Sequence, residues 1–117
     1  MGLSTHVLDT MHGQPAAGMQ VALYEAHGEA YTLVKRLTLN HDGRNPDGPL
    51  VDNESLRAGR YRLSFDVAAY FGAKGVSLPE PPFLDQVHLD FGVADTSAHY
   101  HVPLLVSPWS YSTYRGS

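Results

Sequence analysis

The feature that most constrains the fold of this 117-residue chain is an alternation of apolar and other side chains along short segments. The segments 60–67, 86–93 and 99–106 each place an apolar residue at every second position. Because successive side chains of a β-strand point to opposite faces, this period of two predicts strands with one buried face. The clearest of these strands carries Tyr61, Leu63, Phe65 and Val67 on its predicted core side.

Four less regular segments, at 5–10, 19–26, 31–40 and 109–114, extend the same pattern. In the segment 31–40, Leu33, Leu37 and Leu39 are predicted to share one face. Seven or eight short strands, with turn-forming residues about every ten positions, predict an all-β fold. We therefore expect a single domain over residues 1–117, built as an antiparallel β-sandwich.

One short helix is expected to interrupt the strands. Asp66 is predicted to cap it, and the helix would run through two alanines and Tyr70 to end at Gly72 or Gly75. The segment 78–82 contains three prolines and is predicted to be an extended loop.

Charge and composition argue against several classes of function. The net charge of −4 and the pI near 5.9 disfavour nucleic acid and anionic membranes as partners. The absence of cysteine excludes disulfides, a thiol nucleophile and cysteine-ligated zinc. Residues 1–13 show no signal-peptide pattern, and no segment is long enough to span a bilayer. A cytoplasmic location is expected, or a periplasmic one if a leader was removed.

Three places in the chain carry residues suited to chemistry. His99 and His101 fall on one face of the last long strand, about 7 Å apart along it, while its apolar residues fall on the other. His6 lies on a short strand whose hydrophobic pattern does not require it. Arg44 lies in a loop of turn formers, and Tyr114 with an adjacent arginine ends the chain.

Each of these groups also has a simpler interpretation. A His-x-His pair on a solvated sheet is often only polar surface, and Arg44 could pair with Asp42 or Asp47 at little gain in stability. His99 and His101 also resemble a pair of metal ligands, but a catalytic zinc requires a third protein ligand. The sequence offers no obvious third ligand apart from His6 or a carboxylate.

These residues lie within longer sequence motifs. They are Ser4-Thr-His-Val-Leu-Asp-Thr10, Asp42-Gly-Arg44, His99-Tyr-His-Val-Pro-Leu-Leu105 and Ser107-Pro-Trp-Ser-Tyr-Ser-Thr-Tyr-Arg-Gly-Ser117. In this order, and over the whole chain, they resemble the 5-hydroxyisourate hydrolases, which are the transthyretin-related proteins of urate degradation.

The resemblance implies a transthyretin-like fold of two four-stranded sheets with a short helix after the fifth strand. It also implies a homotetramer whose central channel holds the active sites at subunit interfaces, with the C-terminus held by a neighbouring subunit. No cofactor or metal is expected. The implied catalytic residues are His6, Arg44, His101 and Tyr114, and the implied substrate-binding residues are His6, Arg44, Tyr114, Arg115 and Ser117.

The implied reaction opens a cyclic amide-type C–N bond of 5-hydroxyisourate and gives 2-oxo-4-hydroxy-4-carboxy-5-ureidoimidazoline. Without a cysteine or a recognisable serine triad, direct attack by an activated water is the simplest mechanism. His101 is the first choice as general base and His6 as its partner, although the two roles could be reversed. Arg44 would stabilise the developing oxyanion, and Tyr114 would donate a hydrogen bond or stack on the ring.

Three other functions compete with this hypothesis. A carrier of small aromatic ligands would use the same channel, but it gains nothing from burying ionisable groups. A metal-dependent hydrolase would use His99 and His101 and would lose activity to a chelator. A purely structural β-sandwich leaves the C-terminal Tyr-Arg-Gly-Ser unexplained.

Overall fold

The computed structural model describes residues 2–116, which form eight β-strands and one α-helix. This confirms the predicted all-β sandwich and its single short helix after the fifth strand. No helix within residues 2–116 has the length and apolar character needed to cross a membrane. The elements are β1 (Leu3–Asp9), β2 (Gln14–Pro15), β3 (Gln20–His27), β4 (Ala30–Thr38), β5 (Gly59–Phe65), α1 (Val67–Ala73), β6 (Val87–Val93), β7 (Tyr100–Val106) and β8 (Tyr111–Thr113).

The strands form two four-stranded sheets. The first has the order β2-β1-β7-β8 and the second β4-β3-β5-β6. All pairs are antiparallel, as predicted, except β1 and β7, which run parallel with Leu3 opposite Tyr100 and Asp9 opposite Val106. This parallel pair lies at the centre of the first sheet and brings the first and last parts of the chain side by side.

The core lies between the inner faces of the two sheets, where alternate residues of each strand are buried. In β7, Tyr100, Val102, Leu104 and Val106 are all buried, which confirms the predicted core face. Phe71 of α1 is also fully buried and closes one end of the core. Burial of each large apolar side chain contributes about 1.5–3 kcal/mol, so this packing fixes which face of β1 and β7 remains open.

One predicted face in β4 is wrong. Leu37 points toward the core side, but Leu33 is 44% exposed. The register between β3 and β4 shifts at Leu23/Tyr24, so that Leu33 pairs with Tyr24 while Lys35 pairs with Leu23. A β-bulge adds one residue and moves every side chain beyond it to the opposite face.

The predicted helix is confirmed, but its predicted N-cap is wrong. The Asp66 side chain makes no capping hydrogen bond. Instead, the amide of Ala68 donates to the carbonyl oxygen of Asp85 at 2.9 Å, so a neighbouring loop satisfies the helix start. The helix ends at Ala73, and Gly75, one of the two glycines predicted to stop it, has φ +85° and forms a Schellman motif with the bond from Val76 N to Phe71 O.

A buried carboxylate joins the end of β1 to this helix. Asp9 is fully buried and accepts hydrogen bonds from the His12 amide at 2.9 Å and from the Tyr70 hydroxyl at 2.8 Å. The ring nitrogen Nδ1 of His12 lies 2.6 Å from the second of these oxygens. Because each carboxylate oxygen has a partner, the buried charge is compensated and β1 is anchored at its C-terminal end.

Candidate active site

The candidate site lies on the outer face of the first sheet, where β1 and β7 run side by side. Ser4 and His6 of β1 and His101 of β7 all lie on this half-buried face, because the alternate residues of both strands are committed to the core. Ser4 pairs directly with His101 across the two strands. Residues from opposite ends of the sequence are therefore held on one rigid surface by the backbone.

The loop that carries Arg44 is bonded to β1 beside His6. His6 and Arg44 form an isolated antiparallel bridge, and the Val7 amide donates to the Gly43 carbonyl oxygen at 3.0 Å. Gly43 has φ +71°, and a Cβ there would lie 2.5 Å from the Val7 carbonyl oxygen. Only glycine combines this conformation with so close an approach, which explains the Asp-Gly-Arg sequence.

The side chain of Asn40 shapes the same loop. Its Oδ1 accepts hydrogen bonds from the amides of Asp42 at 2.9 Å and Arg44 at 3.1 Å. Within residues 2–116, Arg44 makes no ion pair with Asp42 or Asp47. The simpler interpretation of Arg44 as one half of a surface salt bridge is therefore wrong, and its guanidinium is available to a ligand.

The charges of this group act on one another. Burial, followed by the Arg44 charge and by His6 and His99, lowers the pKa of His101. Burial and the Arg44 charge also lower the pKa of His6, against an opposing effect of the Asp42 backbone and carboxylate. The lowered pKa values favour the neutral form of both imidazoles at pH 7, which is the form that can accept a proton. We call this group the His6–Arg44–His101 cluster.

The ring of His101 is fixed at two edges. Its Nδ1 lies 2.8 Å from the Ser4 hydroxyl oxygen. The Gly116 amide donates to the His101 carbonyl oxygen at 2.7 Å, and a Cβ at Gly116 would lie 2.7 Å from His101 Cδ2. With these two edges occupied, the Nε2 atom is the ring nitrogen left for a ligand.

The predicted residues of the C-terminus do not all join the cluster within one chain. The Arg115 guanidinium lies 4.2 Å above the ring of Tyr100, a residue of the core side of β7, and donates to the His99 carbonyl oxygen at 3.4 Å. Tyr114 is 61% exposed. Both residues line a cavity of about 300 Å³ between the edges of β6 and β8. Ser117 lies outside the described residues, and the roles of all three stay predictions.

Contacts within one chain hold its C-terminal segment. The predicted contact with a neighbouring subunit stays a prediction. Gly116 forms a β-bridge with His101. Sequence reasoning missed Gly116 and Ser4 as parts of the site. The signal for Ser4 was its position two residues before His6, which places both side chains on the same face of a strand.

His99 and His101 are the two residues that the sequence offered as possible metal ligands. The rings of His99 and His101 are nearly parallel, with centroids 6.4 Å apart. In the described part of the chain, no three His, Asp or Glu side chains are placed to hold one metal ion. Nε2 of His99 and Nδ1 of His101 both contact the hydroxyl oxygen of Ser4.

Two sheets with this topology, and two imidazoles beside a guanidinium that makes no ion pair within residues 2–116, define a transthyretin-fold protein with an ionisable ligand site. The comparisons with known proteins agree with this class. The chain belongs to the HIUase/Transthyretin family, whose family model matches residues 3–116.

Relatives and solved structures support the assignment. A protein of Ralstonia nicotianae called 5-hydroxyisourate hydrolase is 56% identical over 115 residues, covering 98% of this chain and 97% of the relative. The structure of Klebsiella pneumoniae 5-hydroxyisourate hydrolase superposes with a TM-score of 0.78 at 35% identity, with full coverage of both chains. Sea bream transthyretin in complex with thyroxine superposes with a TM-score of 0.86 at 25% identity, covering 99% of this chain and 95% of that one.

Proposed function

We propose that this protein hydrolyses 5-hydroxyisourate, and that the His6–Arg44–His101 cluster performs the reaction. The observation that carries the proposal is the convergence of these three side chains on the open face of the first sheet. The relatives named 5-hydroxyisourate hydrolase, at about half of all positions identical, supply the substrate.

The reaction begins with a water molecule beside Nε2 of His101. The neutral imidazole accepts a proton from the water as its oxygen attacks a carbonyl carbon of the ring. The C–N bond of that cyclic amide then breaks, and the proton held by the His101 imidazolium passes to the leaving nitrogen, directly or through His6, which regenerates neutral His101. The attacked carbonyl becomes the carboxylate of 2-oxo-4-hydroxy-4-carboxy-5-ureidoimidazoline.

His6 is assigned the partner role, orienting the water or protonating the leaving nitrogen. Its lowered pKa has the same origins as that of His101, burial and the Arg44 charge, so the two imidazoles can exchange roles. A neutral imidazole can accept a proton on one nitrogen while it donates one from the other, so His6 can pass the proton taken by His101 to the leaving nitrogen. This coupling suits a reaction that consumes and returns one proton.

Arg44 stabilises the oxyanion that forms during the attack. Since it has no carboxylate partner within residues 2–116, its planar fork is free to donate two hydrogen bonds to the substrate oxygens. Such charge stabilisation is worth about 10²–10³ in kcat where one oxyanion donor is removed from other enzymes. Tyr114 is assigned a hydrogen bond to the substrate or a stacking contact with its ring.

The assembly we propose is a homotetramer in which the open face of the first sheet lines a central channel. A neighbouring subunit would complete the site around the cluster and bring Tyr114, Arg115 and Ser117 to the substrate. Residues 1–117 would act as one domain, and the cytoplasm is the proposed compartment.

The test is the decay of freshly generated 5-hydroxyisourate, followed by near-ultraviolet absorbance with and without the protein. We expect acceleration that is proportional to protein concentration and yields the ring-opened carboxylate, identified by mass. A matched pair of variants, His6→Asn in the cluster and His27→Asn at the exposed end of β3, separates the site from general effects. No acceleration by a folded oligomer, together with saturable binding of a thyroxine-like aromatic ligand, would instead support a carrier.

A further inference from the structure

The hydroxyl of Ser4 lies between two imidazole rings. Its oxygen is 2.8 Å from Nδ1 of His101 and 3.3 Å from Nε2 of His99. The sheet fixes this arrangement, because Ser4 is paired with His101 in the β1–β7 register and β1 is bonded along its whole length. The contact is therefore part of the framework of the site and not a chance surface contact.

A hydroxyl donates one proton and accepts others, so its two contacts are linked. If Nδ1–H of His101 donates to the Ser4 oxygen, the Ser4 proton is free to donate to Nε2 of His99. The opposite order places the proton of His101 on Nε2. The state of the shared hydroxyl thus selects which nitrogen of His101 carries the proton.

We propose that Ser4 is a positioning residue that holds His101 in the tautomer with hydrogen on Nδ1 and an open lone pair on Nε2. The inference rests on the proposed function, in which Nε2 accepts the proton of water. In this arrangement Nε2 of His99 accepts the hydroxyl proton of Ser4, and the proton of neutral His99 lies on Nδ1, a buried atom without a hydrogen-bond partner within residues 2–116.

The same contact serves both protonation states of the base. When Nε2 of His101 takes a proton, the ring becomes an imidazolium with hydrogen on both nitrogens, and Nδ1–H continues to donate to Ser4. The ring therefore does not need to rotate, and the packing of its other edge against Gly116 hinders rotation. The ionisable groups that act on the ring are Arg44, His6 and His99.

Two substitutions test the role directly. Ser4→Ala removes the hydroxyl, and Ser4→Thr keeps it in a residue suited to a strand. Because one such hydrogen bond is worth about 0.5–1.5 kcal/mol, Ser4→Ala should lower kcat roughly 3- to 10-fold with little change in KM, and Ser4→Thr should restore it.

The second sheet supplies a matched control. Ser64 lies 2.7 Å from Nδ1 of His88 in a directly opposed pair on β5 and β6, so Ser64→Ala removes the same kind of contact away from the cluster. Its kcat should equal that of the wild type.

A second measurement does not depend on activity. Nitrogen-15 spectra of the histidine rings, recorded well above pH 6.5 and assigned by the loss of a signal in His101→Asn, report the tautomer of His101. We expect Nδ1–H in the wild type and in Ser4→Thr, and a mixture of tautomers in Ser4→Ala. The proposal would be overturned if His101 of the wild type carried its proton on Nε2, or if the spectrum of Ser4→Ala were unchanged. A changed tautomer of His101 in Ser4→Ala with unchanged kcat would also overturn it. If the wild type fails to act on 5-hydroxyisourate, the proposed function fails while these spectra still decide the role of Ser4 in fixing the ring.

Discussion

Replacement of Gly116 by alanine is expected to impair the site through one contact. A Cβ at this position would lie 2.7 Å from Cδ2 of His101 and 3.2 Å from its Cβ and Cγ. Carbon atoms in ordinary contact are about 3.5–4.0 Å apart, so either the imidazole or the terminal segment must move by roughly 1 Å. The first movement breaks the contact with Ser4, and the second breaks the bond from the Gly116 amide to the His101 carbonyl oxygen.

The size of the effect follows from this displacement. A misplacement of about 1 Å in a catalytic group can cost on the order of 100-fold in rate, which corresponds to about 2.7 kcal/mol of transition-state stabilisation. We expect Gly116→Ala to lower kcat/KM by about 10- to 100-fold. Global stability should change little, because the terminal segment carries no core residue.

The assay compares kcat/KM and the thermal midpoint of Gly116→Ala with those of Gly72→Ala. Gly72 lies in α1 with open space around an added Cβ, and alanine there should keep full activity and add roughly 0.5–1 kcal/mol of stability. Activity of Gly116→Ala within twofold of the wild type would refute the reasoning, because it would show that the position of His101 does not depend on this contact.

Three further predictions concern charge and protonation. Arg44→Lys should lower kcat, because an ammonium group cannot replace the two-pronged fork, and a raised KM with unchanged kcat would reduce Arg44 to substrate binding. Because the pKa of His101 is lowered by burial and by Arg44, kcat/KM should stay constant through pH 7 and fall only below about pH 6.5. Whatever activity His101→Asn retains above the spontaneous decay should lack this acid limb, and the same limb in that residual activity would contradict the assignment. Tyr70→Phe should lower the free energy of unfolding in urea by about 1.5–3 kcal/mol at pH 7, because it removes a donor from the buried Asp9 carboxylate. Burial alone would raise the pKa of Asp9, but its hydrogen bonds from His12 and Tyr70 lower it, so this stabilisation is present above the unfolded pKa and is lost as pH falls through the folded one. A difference in stability between wild type and Tyr70→Phe that does not shrink down to the lowest pH at which both stay folded would contradict the account.

The alternation of apolar residues predicted most of the fold because burial of one strand face is a local property of the sequence. It identified the core faces of β5, β6 and β7 and the open face with His101. It failed at Leu33, where a bulge between β3 and β4 reverses the faces. A bulge depends on the partner strand, so a pattern within one strand does not reveal it.

The candidate site, like the fold, could be predicted from the sequence only in part. Sequence motifs and the family resemblance predicted His6, Arg44 and His101, but the chain alone did not show that β1 and β7 pair in parallel. That pairing places Ser4 beside His101, and it joins residues about a hundred positions apart. The side chain of Arg115 was predicted at the substrate; within one chain its guanidinium lies over the ring of Tyr100, and its role stays a prediction.

The most direct test of the central claim is the rate of 5-hydroxyisourate decay with the wild type, His101→Asn and His27→Asn, each measured in the presence of a chelator. We predict strong acceleration by the wild type and His27→Asn, and decay at nearly the spontaneous rate with His101→Asn. Full activity of a folded His101→Asn, or loss of wild-type activity to the chelator, would contradict catalysis by the His6–Arg44–His101 cluster.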